Sequence, residues 1–179
     1  DGDNAPDLHL QLGNAYFNTN EYQLAISSFD ACVTKNIANE DVYEKRGTSK
    51  LNLKKFQEAL PDLNKALELK SDHLPALKSR GMAYYHLEKW EDAEKDLEKV
   101  IKEDKSDAEV FYAFGIAEYN LEKYEEAVTY LNVGMAKGFK DGYSFYCRGN
   151  ANYYISRFED AVYDLTKAID EGGQADKVS

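Results

Sequence analysis

The chain has 179 residues, 43% of them apolar and 13% aromatic, and its 33 acidic against 22 basic residues leave a formal charge of −11. That balance argues against nucleic acid as a ligand, which calls for a clustered basic face. No apolar run approaches the roughly 18 residues of a membrane-spanning helix.

Pro6 stands in the first turn of the first predicted helix, where a missing amide proton is harmless; Gly13 and Phe17 follow in the same helix. A second helix begins near Tyr22 and carries Ala25, Phe29 and Cys32. Asn39, ahead of Glu40 and Asp41, marks the third helix start, and the fourth begins near Phe56. Pro61 falls inside the fourth, which predicts either a place in its first turns or a local distortion. Pro75 opens the fifth helix, and the sixth has an apolar stripe of Trp90, Ala93, Leu97, Val100 and Ile101. Ser106 with Glu109 three residues later reads as a capping box for the seventh. The eighth, ninth and tenth carry Tyr124, Gly149 and Phe158 in turn. No run alternates like a strand, so the pattern predicts ten helices of about 12–15 residues.

Three ladders run through these helices with one period of 34 residues. Gly13, Gly47, Gly81, Gly115 and Gly149 form the first; Ala25, Ala59, Ala93, Ala127 and Ala161 the second; Tyr22, Phe56, Trp90, Tyr124 and Phe158 the third. Such a period is the signature of stacked helix–turn–helix units. A glycine inside a helix costs about 1 kcal/mol relative to alanine. Five of them are tolerable where close approach of the two helices of a unit offsets that cost.

With glycine counted as position 8, position 24 reads Phe29, Leu63, Leu97, Leu131 and Leu165, and position 27 reads Cys32, Ala66, Val100, Gly134 and Ala168. On these positions the chain resembles the tetratricopeptide-repeat (TPR) family over roughly 6–173. Position 4, usually Trp or Leu, is matched loosely by His9, Tyr43, Leu77, Phe111 and Phe145, and the proline of position 32 is absent. The resemblance implies an all-α, right-handed superhelical α-solenoid with repeats at 6–39, 40–73, 74–107, 108–141 and 142–175. Residues 176–179 are then a tail or the start of a further repeat, and Asp1 to Ala5 fit the close of a preceding one.

The resemblance also implies a non-enzymatic scaffold that binds a protein or peptide segment in a concave groove lined by the first helix of each repeat. The groove positions are 2, 5, 9, 12 and 13. Across repeats three to five they give an aromatic candidate face of Lys78, Met82, Tyr85, Tyr112, Ile116, Tyr119, Tyr146, Asn150 and Tyr153, with His86, Tyr143 and Tyr154 beside it. Packing between adjacent first helices is the competing role for the tyrosines. Position 11 has lost its usual aromatic to Lys50, Glu118 and Asn152, which lets position 12 take over the core task. Some TPR domains clamp the terminal carboxylate of heat-shock chaperones with five Lys, Asn and Arg side chains. Here the slots hold Leu10, Asn14, Lys45, Pro75 and Ser79 on repeats one to three, and at most one slot matches in any window, so no chaperone clamp is expected.

Arg46, Arg80 and Arg148, each just before a glycine, are expected to pack their stems and pair with acidic neighbours. Cys32 takes the small core position, and Cys147, near the inner face, reads as a semi-exposed thiol. Stacked helices lie about 8–10 Å apart, so a disulfide between cysteines more than three repeats apart is excluded. His9, His73 and His86 share no metal-ligand spacing, and neither a phosphate loop nor a nucleophile elbow is present, so no cofactor or enzyme is expected. Acid pairs such as Glu91–Asp92 and Glu125–Glu126 read as a solvated face. Two other readings stand beside the groove scaffold: a self-assembling module that stacks through an uncapped fifth repeat, and a targeting arm of a larger protein. Asp1 in place of methionine leaves a cytoplasmic location and, after a removed signal, an exported or periplasmic one both open.

Overall fold

The computed structural model describes the backbone of residues 5–172 and the side chains from Leu8 onward. The expectations for residues 1–4 and 173–179, the opening of a further repeat among them, lie outside the described residues. Among those described, ten helices and no strand form: α1 Ala5–Asn18, α2 Tyr22–Thr34, α3 Glu40–Asn52, α4 Phe56–Leu69, α5 Leu74–His86, α6 Trp90–Glu103, α7 Ala108–Asn120, α8 Tyr124–Ala136, α9 Gly142–Tyr154 and α10 Phe158–Asp170. They fall into two compact units, one ending at Glu88 and the other beginning at Lys89. In the first unit α1 pairs with α2 and α3 with α4, and α1, α3 and α5 also meet one another in succession. In the second, α7 pairs with α8 and α9 with α10, α6 packs on α7, α8 on α9, and α7 touches α9 directly.

The turn inside each pair repeats in its backbone as strictly as the sequence does. Asn20, Lys54, Glu88, Glu122 and Ser156, again 34 apart, all sit at φ between 55° and 62°. The residue after four of them donates its amide five residues back, as in Lys55 N to Lys50 O (2.9 Å), Lys123 N to Glu118 O (2.9 Å) and Arg157 N to Asn152 O (2.8 Å). This is the Schellman closure, which satisfies helix-end carbonyls at the cost of one left-handed residue.

The glycine ladder meets the residue at position 24, and at Gly47 also the carbonyl oxygen of Ala59 at position 20 (3.3 Å). A Cβ on Gly13 would stand 2.5 Å from the Phe29 ring, and one on Gly47 2.7 Å from Leu63 Cγ. One on Gly115 would stand 2.8 Å from Leu131 Cγ and 2.9 Å from the Leu131 amide nitrogen. The alanines at position 20 are buried one turn away, together with Phe29, Leu63, Leu97 and Leu131 at position 24.

Helix starts follow local chemistry. Asn39 Oδ1 accepts from Val42 N (3.1 Å), as expected. The seventh helix is capped one residue later than the sequence suggests. Asp107 Oδ1 accepts from Glu109 N (3.0 Å) and Val110 N (3.3 Å), while Ser106 turns back to Asp104. A carboxylate acceptor at the positive end of a helix outcompetes a hydroxyl there. Asp141 and Ser144 form a full capping box on α9. Pro61 lies inside α4, which is helical on both sides of it. The carbonyl deprived of its amide donor belongs to Gln57, an exposed residue, so the lost bond falls on the solvent side of the helix.

Arginine at position 7 fastens two repeats at once. Arg46 grips Asp62 with Nε (3.1 Å) and Nη2, and reaches Asp30 of the preceding repeat with Nη1 at 2.7 Å. Arg148 does the same with Asp164 (2.8 and 2.5 Å) and Asn132 (2.6 Å). Arg80 reaches Asn64 at 2.8 Å. In repeat four both ends of the pair are exchanged together: Phe114 and Tyr130 take the arginine and aspartate positions and meet edge-to-face at 4.6 Å. A buried ion pair and an aromatic pair thus fill one slot, as expected where desolvation cancels much of the Coulomb gain.

Candidate functional site: a ladder of tyrosine rings

The first helices meet along positions 9 and 6, and the chemistry of that seam differs between the units. In the first unit it is polar: Lys45 Nζ donates to Asn14 Oδ1 (2.6 Å), and the hydroxyls of Thr48 and Ser79 lie 2.6 Å apart. Position-5 Glu44 is buried beside this seam and bonded by Thr48, and burial raises its carboxyl pKa. In the second unit the same seam positions are Ile116 and Cys147, both fully buried.

That seam corrects two expectations. Cys147 is buried rather than semi-exposed, because position 6 faces the preceding first helix. Ile116 has no surface to offer a partner, and Met82, at the same position 9, has almost none. Tyr112 is also buried; its ring lies 4.6 Å from Phe139 and its hydroxyl donates to Asp141 Oδ2 (3.1 Å), tying α7 to the α9 cap.

Six other tyrosines of the second unit form a chain of ring contacts. Tyr143 stacks on Tyr146 (6.0 Å, 21°), and Tyr146 meets Tyr119 edge-on (6.4 Å). Tyr119 lies 6.2 Å from Tyr124, and Tyr124 stacks on Tyr154 (4.5 Å, 18°). Tyr154 then touches Tyr153, and Tyr153 touches Phe158 (5.8 Å). Exposure grows along the chain from half-buried Tyr143, Tyr146 and Tyr119 to exposed Tyr153, Tyr154 and Phe158. Burial, and then the neighbouring Cys147 and Tyr146, hold the Tyr119 hydroxyl well above the usual phenol pKa. Tyr119 therefore acts as a neutral hydrogen-bonding group. Asn150 spends an amide proton on the Tyr146 carbonyl (3.0 Å).

Lys78, Met82 and Tyr85 lie on α5, in the other unit. Lys78 and Tyr85 are half-buried, and Tyr85 meets His86 edge-on at 5.1 Å. His86 in turn stacks on Phe56 (4.4 Å, 14°). Tyr124–Tyr154 repeats that pairing, ring at position 17 against ring at position 13 of the next repeat. In the sequence, position 17 stands out only as a ladder of helix starts, so Tyr124 and Phe158 were missed as part of an aromatic surface. The spacing of 30 residues between stacked rings was the available signal.

Charged groups elsewhere in the second unit close on one another. A cavity of about 280 Å³ between α8, α9 and α10 is lined by Arg148, Asp164, Asn132 and Asn152, most of whose polar atoms bond within that set. Glu118 is buried with Oε2 3.6 Å from Lys123 Nζ; burial and then Glu94 push its pKa up to about 7. Among the described residues no group of three or more His, Cys, Asp or Glu is placed to hold a metal ion, and no helix is long and apolar enough to cross a membrane.

Comparison with known proteins agrees with this architecture. Family models described as tetratricopeptide repeat match residues 44–108 and 79–136, which together span more than half of the chain, and residues 6–34. No curated protein matches. Among solved structures, a mutant form of MamA superposes with a TM-score of 0.85 at 18% identity, over 95% of this chain and 99% of that one. MamA MSR-1 gives 0.81 at 16% identity over 96% and 99%, and MamA 41-end from Desulfovibrio magneticus RS-1 gives 0.77 at 17% over 98% and 99%. Identities this low show likeness of fold alone. Repeat ladder, helix pairs and family match agree: the chain belongs to the tetratricopeptide-repeat family.

Proposed function

We propose that the chain is a scaffold that holds a segment of another protein against the tyrosine ladder of its second unit. The observation that carries this reading is the unbroken run of rings from Tyr143 to Phe158, half-buried at one end and exposed at the other. Such rings give large contact area at low entropic cost, and their hydroxyls reach backbone groups of a bound segment. Tyr119, Tyr146, Asn150 and Tyr153 supply the contacts; Tyr112 and Ile116 support them from beneath. Lys78, Met82 and Tyr85 belong to α5 of the other unit and stand as a separate candidate set. The formal charge of −11 favours a segment whose aliphatic or proline anchors are flanked by basic residues.

The test is affinity capture from the native source with the wild-type chain and with the Tyr146→Ala, Tyr153→Ala double variant. Both positions keep solvent-facing surface, unlike Tyr112, so the variant should retain its helical circular dichroism. Partner affinity is expected to fall at least tenfold, in line with loss of two aromatic contacts; undiminished capture by a folded variant rejects the site.

A further inference from the structure

Position 11 carries a long side chain in four repeats: Tyr16, Lys50, Tyr84 and Glu118. In repeat two Lys50 brings its ammonium to Asp62 Oδ2 (2.7 Å), the carboxylate that Arg46 also holds. Repeat five has Asn152 there, the shortest of the five. Its Nδ2 donates to Asp164 Oδ2 (3.2 Å), which Arg148 holds as well. Its Oδ1 has no hydrogen-bond partner among the described residues, although the residue is only 3% exposed. Folded chains rarely keep such an acceptor without a donor. Asn152 lines the cavity of about 280 Å³ between α8, α9 and α10, whose exposed side is formed by Arg157, Asp160 and Tyr163. Among the described residues the side chains of Arg157 and Asp160 bond to no other. The repeat register keeps this side open. Positions 16, 19 and 22 are exposed on α2, α4, α6 and α8 too, although each of those helices has the next first helix packed on it.

We propose that this cavity binds a free α-amino acid, with its ammonium on Asn152 Oδ1 and Asp160 and its carboxylate on the Arg157 guanidinium. The charges select a zwitterion. At the buried end Arg148 already neutralises Asp164, so the mouth is left with one cation and one anion. A ligand of single charge would satisfy one of them and face the other without a counter-charge. The planar fork of Arg157 suits a carboxylate, and the unpartnered oxygen of Asn152 calls for a donor such as an ammonium. Clefts for drug-sized ligands begin at about 300 Å³, so this one fits a smaller metabolite. Val128 is the one aliphatic side chain in its lining, which favours a small or polar amino acid such as serine or glutamine over leucine. The site uses none of the ladder's rings and is independent of the tyrosine-ladder reading.

Isothermal titration of the chain with glutamine should give saturable one-to-one binding with a Kd of about 1 mM or tighter. N-acetylglutamine lacks the ammonium and glutamine methyl ester lacks the carboxylate, and each should bind at least tenfold more weakly. Arg157→Gln, on the exposed side, should weaken glutamine binding at least tenfold with circular dichroism unchanged. Asn152→Lys places at position 11 the residue that repeat two accommodates beside Arg46 and Asp62, so its chain fills the cavity and binding should be lost. Absence of saturable binding by glutamine, serine and glycine up to about 10 mM overturns the site. So does equal binding of either blocked analogue, which removes the zwitterion. Glutamine binding that is undiminished in the folded Arg157→Gln protein places the ligand elsewhere and also overturns it.

Discussion

At the scale of residues, the clearest strain in the molecule lies at the five left-handed turn positions, four of which hold Lys, Glu or Ser rather than Gly or Asn. A side chain in that conformation costs about 1–2 kcal/mol, and glycine removes the cost while loosening the unfolded chain by somewhat less. Lys54 is exposed, with φ 59°. Lys54→Gly is therefore expected to stabilise the fold by about 0.5–1 kcal/mol, read from urea unfolding midpoints. The glycines at position 8 behave in the opposite way. There the chain needs the absence of a Cβ, because Phe29, Leu63 and Leu131 already occupy its place.

At the scale of elements, the joints between helices set the electrostatics. Glu118 on α7 is packed against neighbours that include Glu94 on α6 and Glu126 on α8, which raise its pKa, and Lys123, which lowers it. Its carboxyl pKa stands at about 7 in the folded chain, above the ordinary value of 4.5, so the fold favours the protonated form. Stability from this group is therefore complete below pH 4.5 and is lost as pH rises through 7. Glu118→Gln, a lasting mimic of the protonated state, is expected to stabilise the chain at pH 8 by about 1–2 kcal/mol. That advantage should shrink toward zero near pH 5. Thermal melts of both proteins across that range check the sign.

Element existence was legible in the sequence because five copies report the same residue types at the same positions. The helix pairs, the burial of the position-20 alanines and the acidic partners of Arg46 and Arg148 all followed from that. What escaped was whatever varies between copies. The seam at positions 9 and 6 is Asn14–Lys45 in one place and Ile116–Cys147 in another, so no single residue type marks it, and Cys147 and Ile116 were read as facing outward. The cap of α7 slipped from Ser106 to Asp107 because both are good cap residues and spacing alone does not rank them. The exchange of an Arg–Asp pair for Phe114–Tyr130 was hidden for the same reason. Two substitutions 16 residues apart look unrelated until the structure sets them ring to ring.

At the scale of the whole molecule, helical repeats hold together through nearest neighbours, so damage should stay local. Gly115→Ala drives a methyl group into Leu131, whose backbone as well as side chain lies within 3 Å of the new carbon. The expected loss is about 1–3 kcal/mol despite the better helix propensity of alanine. Hydrogen exchange should show protection falling first in α7 and α8 and least in α1 and α2. Uniform loss across all ten helices would mean that the chain opens as one cooperative body.

The two kinds of bond made by Arg46 and by Arg148 differ in what one repeat carries with it. The grip on position 23 lies within one 34-residue block, so a duplication of that block copies both partners intact. The reach to position 25 crosses into the preceding block and must be made anew with whichever neighbour arrives. Position 25 holds Asp30, Asn64 and Asn132 where an arginine reaches it, all of them short side chains with an oxygen to offer. That tolerance makes blocks interchangeable at their seams. A gene of this design can change its copy number by recombination without breaking the bonds that join one copy to the next.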